Sequence, residues 1–274
     1  QLPNGAGTFV TLSESLKLQS VALSGLPLFG PGMDIAIHIV EAAARQNEPL
    51  GQNDIVVVAQ KIVSKTEGRE VSLSGVHVGD EAARISRQTS RDPALVQLIL
   101  DESNAVLRAT PAAIIVRHRT GHVLANSGID ASNVTNGEHG AVLLWPSDPD
   151  ASARNIRTAL ASSLAYNRKD APAVIIADSL GRAWRMGTMG TAIGCAGLCV
   201  VEDRRGQEDL FGRQLQATMI AVADAVSAMA VLTMGEGAEG TPVAIVRGCD
   251  RWISPEDGPG ATAGLRALAE DMFQ

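Results

Sequence analysis

The sequence is poor in aromatic residues, which make up 3% of its 274 positions. Proteins that bind single-stranded nucleic acid stack the bases on exposed aromatic rings, and this chain has few rings to offer. Its formal net charge of -7 also lacks the excess of lysine and arginine that binds a phosphate backbone. Nucleic acid is therefore excluded as the main partner.

Cysteine and long apolar runs are scarce as well. Three cysteines cannot form a disulfide framework in a chain of this size, and neither Cys195 nor Cys199 has a CxxC partner or a nearby histidine. Free, partly buried thiols are expected rather than a metal site. The apolar runs, such as 54–59, are far shorter than the ~20 residues of a membrane-spanning helix. With no secretory signal visible at residues 1–7, we expect a cytoplasmic protein without a membrane partner.

The chain is rich in aliphatic residues and glycine: 45% of its residues are hydrophobic and 27 are glycine. Short apolar runs predict buried strands at 54–59, 113–116, 173–177 and 242–246. Amphipathic segments that open on a capping aspartate predict helices over 34–46, from 92 onward and from 148 towards 166, with a fourth helix over 221–233. The pair Thr120-Gly121 predicts a hairpin. The alternation favours an α+β (mixed α/β) chain with interleaved lobes, followed after residue 247 by a turn-rich segment and a short helix.

The common signatures of phosphate loops, dinucleotide folds, zinc proteases and serine hydrolases are missing from the sequence. Five polar or glycine-rich clusters remain, several of them at the ends of predicted strands, where side chains emerge from the core. The first, 60–69, carries Lys61, Lys65 and Arg69, which suit the oxygens of a polyphosphate. A solvated loop with ordinary lysines is the alternative.

Two clusters offer oxygen ligands. Asp130 and Asn133 could bind a hard divalent cation and its nucleotide, or form a turn that caps a helix. Asp178 and Ser179 close a predicted strand and suit Mg²⁺ or Mn²⁺, while the arginines that follow could neutralise phosphate. The alternative is a capping aspartate with arginines in structural pairs, and Trp184 is expected to fill the core.

The last two clusters are rich in glycine. The first of them consists of Gly187, Gly190, Gly194 and Gly197. Its spacing matches no known phosphate-binding motif, and close packing of the backbone explains it as well as a binding loop does. The second comprises residues 234–237. Its composition predicts a helix that ends at a glycine, followed by a solvent-exposed Glu236. None of the five histidines has ligand spacing or lies beside a marked nucleophile, so none is assigned a role.

Taken together, seven motifs resemble those of the coenzyme F-420-0:L-glutamate ligases, a family of γ-glutamyl ligases. They follow the family's order: GLPLF at 25–29 with PGMD at 31–34, VSKTEGR at 63–69, GIDASNV at 128–134, DPDASAR at 148–154, DSLGRAWR at 178–185, DLFGR at 209–213 and PVAIVRG at 242–248. One such motif would be weak, whereas seven in order are specific.

The resemblance implies a GTP-dependent ligase that joins L-glutamate to the deazaflavin precursor F-420-0 and then extends the product through γ-glutamyl links. It implies an intertwined homodimer, each protomer having two α+β lobes. We divide the chain into a ligase domain over 1–250 and a C-terminal tail over 251–274, in the stand-alone form without a flavin-binding domain. The partners would then be small molecules: F-420-0, L-glutamate and GTP.

By position, the resemblance also assigns site residues. The metal ligands would be Asp130, Asp178, Ser179 and Glu236, and the catalytic residues Lys65, Asp130 and Asp178. The nucleotide site would comprise Leu26, Pro27, Leu28, Phe29, Gln60, Lys65, Asn133, Leu232 and Gly235. Gln60 departs from the family pattern, since some relatives carry serine there. The expected cofactors are two Mg²⁺ or Mn²⁺ ions, with K⁺ as a further candidate, and GTP is the co-substrate.

These residue types suit the implied chemistry. A free carboxylate does not form an amide at useful rates, so it must first become an acyl phosphate by in-line phosphoryl transfer assisted by cations. Hard oxygen ligands hold such ions, and Lys65 with Arg182 or Arg185 would complete a positive clamp. The sequence names no base for the glutamate amine. A metal-dependent nucleotide phosphohydrolase and a non-catalytic nucleotide-binding regulatory protein stay open as alternatives.

Overall fold

The computed structural model describes residues 15–131 and 140–271, and a five-stranded sheet organises the larger part of them. Its strands lie in the order β1 (Gln19–Ala22), β12 (Val243–Arg247), β2 (Ile55–Ala59), β8 (Ala173–Gly181) and β9 (Thr188–Ala196). Strands β2 and β8 run parallel, whereas the other neighbours in this sheet are antiparallel.

Helices cover both faces of this sheet. They are α1 (Ile35–Arg45) and α5 (Pro149–Ser163) on one face and α6 (Val222–Met234) on the other. Val56 and Val58 of β2 pack into the first core, while Ile55 and Val57 pack into the second, because successive side chains of a strand point to opposite faces. Burial on both faces explains why the central strands read as unbroken apolar runs.

A second body of structure is inserted between the first and second halves of the sheet. It contains β3 (Glu70–Ser72) paired with β7 (Ala141–Leu143), helices α3 (Asp80–Thr89) and α4 (Pro93–Asp101), and the antiparallel sheet β4 (Ser103–Ala109), β5 (Ile114–His118) and β6 (Val123–Ala125). Ile85, Val96, Ile99, Ile114 and Val116 form its core. A last pair joins β10 (Val201–Asp203) to β11 (Met219–Ala221). The mixed α/β class predicted from the sequence is thus confirmed.

Most of the predicted elements are present, with two corrections that matter for function. Asp34, Asp92 and Asp148 each cap a helix by accepting backbone N–H groups of its first turn. Residues 60–66 form helix α2 (Gln60–Thr66), so the interpretation as a loop is wrong. Strand β8 continues through Asp178 and Ser179 to Gly181, beyond the predicted end at 177, because it stays paired with β9.

The segment after β12 contains short 3₁₀ turns at Asp250–Trp252, Ala261–Gly264 and Leu268–Glu270, where a turn-rich segment and a short helix were predicted. Cys195 and Cys249 are buried, Cys199 is exposed, and all three are free, as expected from the sequence. Across the described ranges, no helix has the length and apolar character needed to cross a membrane.

Candidate metal and nucleotide site

The candidate site lies at the carboxyl ends of the parallel strands β2 and β8. Ala59 of β2 is paired in register with Ala177 of β8, so the residue after each of these two alanines lies at the same edge, where the parallel pairing ends. From β8 this is Asp178, and from β2 it is the start of α2. The strand pairing therefore places Asp178 beside the first turn of α2.

Asp130 reaches this edge from the inserted body. Its backbone forms an antiparallel bridge with Leu143, with N···O distances of 3.0 and 2.8 Å. Its carboxylate lies 2.6 Å from the ammonium group of Lys61 on α2. The ion pair joins the inserted body to the carboxyl end of the main sheet.

Asp178 is held by two hydrogen bonds. The indole Nε1 of Trp145 donates to Oδ2 at 2.8 Å, and the backbone N–H of Ser179 donates to Oδ1 at 2.8 Å. Burial raises the pKa of Asp178; nearby Asp130 raises it further, while the two hydrogen bonds and Lys61 act in the opposite direction. Two carboxylates in this position repel each other, and a bound cation would relieve that repulsion.

The loop after α6 brings a third acidic residue to β8. Helix α6 ends at Met234, and the capping residue that follows, Gly235, has a φ of 80°, in the region that glycine adopts readily. Glu236 follows at once, and the hydroxyl of Ser179 donates to its Oε1 at 2.6 Å. The four residues that the resemblance names as metal ligands thus lie near this edge: Asp178 and Ser179 on β8, Glu236 bonded to Ser179, and Asp130 paired with Lys61 of α2.

This oxygen set fits Mg²⁺ or Mn²⁺ as an open site. Within residues 15–131 and 140–271, no group of three or more His, Cys, Asp or Glu side chains lies close enough together to hold a metal ion without other ligands. Mg²⁺ seldom requires one, because it retains water and is held by one or two carboxylates together with substrate phosphates. The partial set at Asp178, Ser179 and Glu236 is compatible with that mode of binding.

Helix α2 connects this edge to a second predicted region. Lys65 is half-buried and lies one turn after Lys61, on the same face of α2. At the other end of the helix, the N–H of Gly32 donates to the carbonyl of Thr66 at 2.8 Å. The loop that contains residues 26–29 is therefore anchored, through Gly32, about 7–8 Å along the helix axis from Lys61, the rise of five helical residues.

The predicted nucleotide residues differ in what they present to a ligand. Leu28 is 97% exposed and Leu232 is 87% exposed, whereas Phe29 is buried against the ring of His38. Leu26 and Pro27 are half-buried. Gln60 is buried and donates to the hydroxyl of Ser64 at 2.6 Å. Asn133 lies outside the described residues, and the assignment of this nucleotide site stays a prediction.

The arginines after β8 lie apart from this cluster. Arg182 and Arg185 are exposed on the hairpin between β8 and β9, and Arg182 donates to the sulfur of Met189 and the carbonyl of Met186. Trp184, at the same tip, is 90% exposed, so the expectation that it fills the core is wrong. A tight hairpin projects its tip away from both cores.

Sequence reasoning placed Lys61 in a basic cluster but did not pair it with Asp130, and it missed Trp145 altogether. The spacing of four between Lys61 and Lys65 on a helix was the available signal for Lys61. Trp145 carried no local signal, because it meets Asp178 across 33 positions of sequence. The histidines that pack around Trp145, His118 and His122, were also left without a role.

The comparison with known proteins gives the family. The model of the family "F420-0:Gamma-glutamyl ligase" matches residues 25–248, which include every described residue of the candidate site. The chain belongs to this family. The resemblance inferred from the seven motifs is therefore confirmed.

Named relatives support the assignment over nearly the whole chain. A protein of Methanothermobacter thermautotrophicus is 41% identical over 94% of this chain and all of the relative. One of Methanocaldococcus jannaschii is 36% identical over 96% of this chain and 99% of the relative. One of Haloarcula marismortui is 40% identical over 85% of this chain and 88% of the relative. All three are named coenzyme F420:L-glutamate ligase.

Proposed function

We propose that the protein is a GTP- and divalent-metal-dependent ligase that joins the amine of L-glutamate to the carboxylate of the deazaflavin precursor F420-0. Its relatives' shared name supports the substrates. The observation that carries the proposal is the convergence of Asp130, Asp178, Ser179 and Glu236 beside the lysine-bearing face of α2. Oxygen ligands beside ammonium groups are the combination that phosphoryl transfer requires.

In the proposed reaction, a carboxylate oxygen of F420-0 attacks the γ-phosphorus of GTP and GDP leaves, which forms an acyl phosphate. The glutamate amine then attacks the acyl carbon, releases phosphate and loses a proton to solvent. Asp130, Asp178, Ser179 and Glu236 would hold Mg²⁺ or Mn²⁺, which supplies charge neutralisation on the phosphates. Lys65 and Lys61 bind phosphate oxygens from α2. A second cycle on the new glutamate would give a γ-glutamyl link.

We further propose that the protein acts as a cytoplasmic homodimer with intertwined lobes. Large apolar side chains stand out from two hairpins of the main body and would be covered by a second copy: Trp184, Met186, Leu210 and Phe211. Light scattering coupled to size exclusion gives the mass directly. A particle of one chain's mass, 28.6 kDa, would contradict the dimer and leave the proposed chemistry standing.

GTP consumption tests the reaction. Phosphate release is followed with GTP and Mn²⁺ alone, with F420-0, with L-glutamate, and with both, and products are identified by mass spectrometry. Full turnover with both substrates and a product heavier by one glutamate residue is expected. Release that ignores glutamate would indicate a nucleotide phosphohydrolase, and binding of GTP without release would indicate a regulatory protein.

Asp178→Asn tests the metal assignment. The change keeps the shape of the side chain but removes the negative charge, so turnover should fall at least ~100-fold, the scale of losing a preorganised charge-stabilising group. Asp203→Asn is the matched control, since Asp203, the last residue of β10, is exposed and paired with Arg205. Initial rates at saturating GTP provide the comparison. Near-normal turnover in Asp178→Asn would rule out its role as a metal ligand.

A further inference from the structure

Trp145 is the largest fully buried side chain of the described residues, and it lies directly behind the candidate metal site. Its Nε1 donates to Oδ2 of Asp178 at 2.8 Å. Its carbonyl accepts from Nε of Arg69 at 2.8 Å. The residue is thus bound at its side chain and at its backbone, and the side-chain bond ends on a carboxylate of the site.

The same indole also abuts the segment that carries Asp130. A Cβ built on Gly128 would lie 2.2 Å from Nε1 of Trp145, far inside any normal contact. Gly128 has a φ of +66°, and Ser127 before it has a φ of +53°, so this turn is left-handed where it meets the indole. Asp130 follows two residues later. The indole of Trp145 therefore bonds to Asp178 and also contacts the turn that precedes Asp130.

Two buried histidines fix the plane of the indole. The ring centroids of His118 and His122 lie 4.9 and 5.5 Å from that of Trp145. The hydroxyl of Thr120 lies 2.9 Å from Nδ1 of His118 and 2.8 Å from Nδ1 of His122, which ties the two rings together. Because Trp145 and both histidines are buried, packing restricts the direction of the indole N–H.

We propose that Trp145 is a positioning residue that sets the separation and orientation of Asp130 and Asp178 for binding a divalent cation. The inference rests on the proposed function, because it takes these carboxylates to be metal ligands. Two carboxylates near each other tend to swing apart. Trp145 opposes this by holding one oxygen of Asp178 through a fixed donor while its ring faces the Gly128 turn. Partners behind a ligand orient it and set metal affinity in this way.

Mn²⁺ binding to the full-length protein, followed by titration calorimetry in the absence of GTP, tests the inference. Trp145→Phe keeps an aromatic ring beside the two histidines and removes the donor; affinity for Mn²⁺ should fall about 10- to 100-fold, the range for losing a partner of a metal ligand. Trp252→Phe is the matched control. It removes the same kind of bond, from Nε1 to a carboxylate oxygen of Glu202 at 2.7 Å, on another part of the fold, and should change the affinity less than about twofold.

A second variant keeps the test decisive if Trp145→Phe fails to fold. Site-specific replacement of Trp145 by benzothienylalanine exchanges the N–H for sulfur and retains the bicyclic shape. Weakened Mn²⁺ binding with an unchanged melting temperature is expected. Affinity within twofold of the unmodified protein would overturn the positioning role and leave the proposed function intact. If the unmodified protein itself binds no Mn²⁺ at millimolar concentration, the positioning role is overturned, and the GTP-consumption assay decides the proposed function separately.

Discussion

At the scale of single residues, Gly128 shows how the site depends on a missing side chain. Its left-handed backbone and its contact with Trp145 are separate requirements, and each favours glycine. Gly68 offers a comparison, because it has the same φ of +66° but no atom within 4 Å of the position of a Cβ. The pair can therefore separate backbone strain from steric exclusion.

We predict that Gly68→Ala lowers the free energy of unfolding by about 1–2 kcal/mol, the range for placing a non-glycine residue in the left-handed region. Gly128→Ala should lower it by about 1–3 kcal/mol more, because the new methyl group has to displace a buried indole. Urea denaturation followed by circular dichroism gives both values. Equal losses in the two variants would show that the contact with Trp145 has no effect on stability.

At the scale of elements, the glycines of β9 decide how closely the helices approach the sheet. A Cβ on Gly190 would lie 2.3 Å from the carbonyl oxygen of Ser227 in α6, and one on Gly194 would lie 2.2 Å from that of Pro149 in α5. These are backbone atoms, so a side chain would push a whole helix outward. Close packing, one of the two interpretations of this glycine series, is confirmed at these two positions.

Gly190→Ala should therefore destabilise the protein by about 1–3 kcal/mol through overpacking. Gly181→Ala is the control in the neighbouring strand; no atom lies within 4 Å of its Cβ position, and alanine in a strand is expected to be neutral or slightly stabilising. Chemical denaturation of the two variants under the same conditions makes the comparison. A smaller loss for Gly190→Ala than for Gly181→Ala would contradict the proximity of α6 and β9.

Helix α2 illustrates why an element at the site was not recognised in advance. It has seven residues, and its capping position, Ala59, provides no side-chain hydrogen bond. Short helices are marginal by their own propensity and depend on packing for most of their stability. Ile62 and Val63 are buried and supply that packing. Their partners come from other parts of the chain, so the sequence around α2 does not reveal the helix.

At the scale of the whole molecule, the segment after β12 is attached to α5 through buried charges. Arg157 is fully buried and donates to Asp257 at 2.9 Å and to the carbonyl of Ser254 at 3.0 Å. Asp150 accepts from the N–H of Ala261 at 2.7 Å. These bonds close the chain over one end of the main sheet, so the C-terminal segment contributes to the stability of the whole fold.

The pH dependence of stability should reflect this attachment. Burial alone would raise the pKa of Asp257, but hydrogen bonds from Arg168 and Arg157 outweigh it and leave the pKa below its ordinary value. A carboxylate with a lowered pKa in the folded state stabilises the fold above its unfolded pKa of about 4. That contribution is lost as the pH falls through the lower, folded pKa.

Asp257→Asn should accordingly lower the free energy of unfolding by about 1.5–3 kcal/mol at pH 7, the range for a hydrogen bond to a charged group. The difference from the unmodified protein should shrink at pH 3. Asp203→Asn should show no measurable change at either pH, because solvent screens an exposed pair. Urea denaturation at both pH values provides the data. A difference for Asp257→Asn that is independent of pH would contradict this account.

The sequence by itself determined the mixed α/β class, the central strands, the capped starts of three helices and the family. These features are local: apolar runs, an aspartate before a helix and motifs in a fixed order are all read along the chain. Asp130, Asp178, Ser179 and Glu236 were named in advance through the resemblance, without any indication of how they meet.

Tertiary structure decided how those residues are brought together. Asp130 arrives with the inserted body, Asp178 with β8 and Glu236 with the turn after α6, and Trp145 joins two of these parts from a position distant in sequence from each. Contacts between such segments depend on the register of β2 with β8 and on the close approach of α5 and α6 to β9 at its glycines. They arise when the whole chain packs, and so no local pattern could specify them.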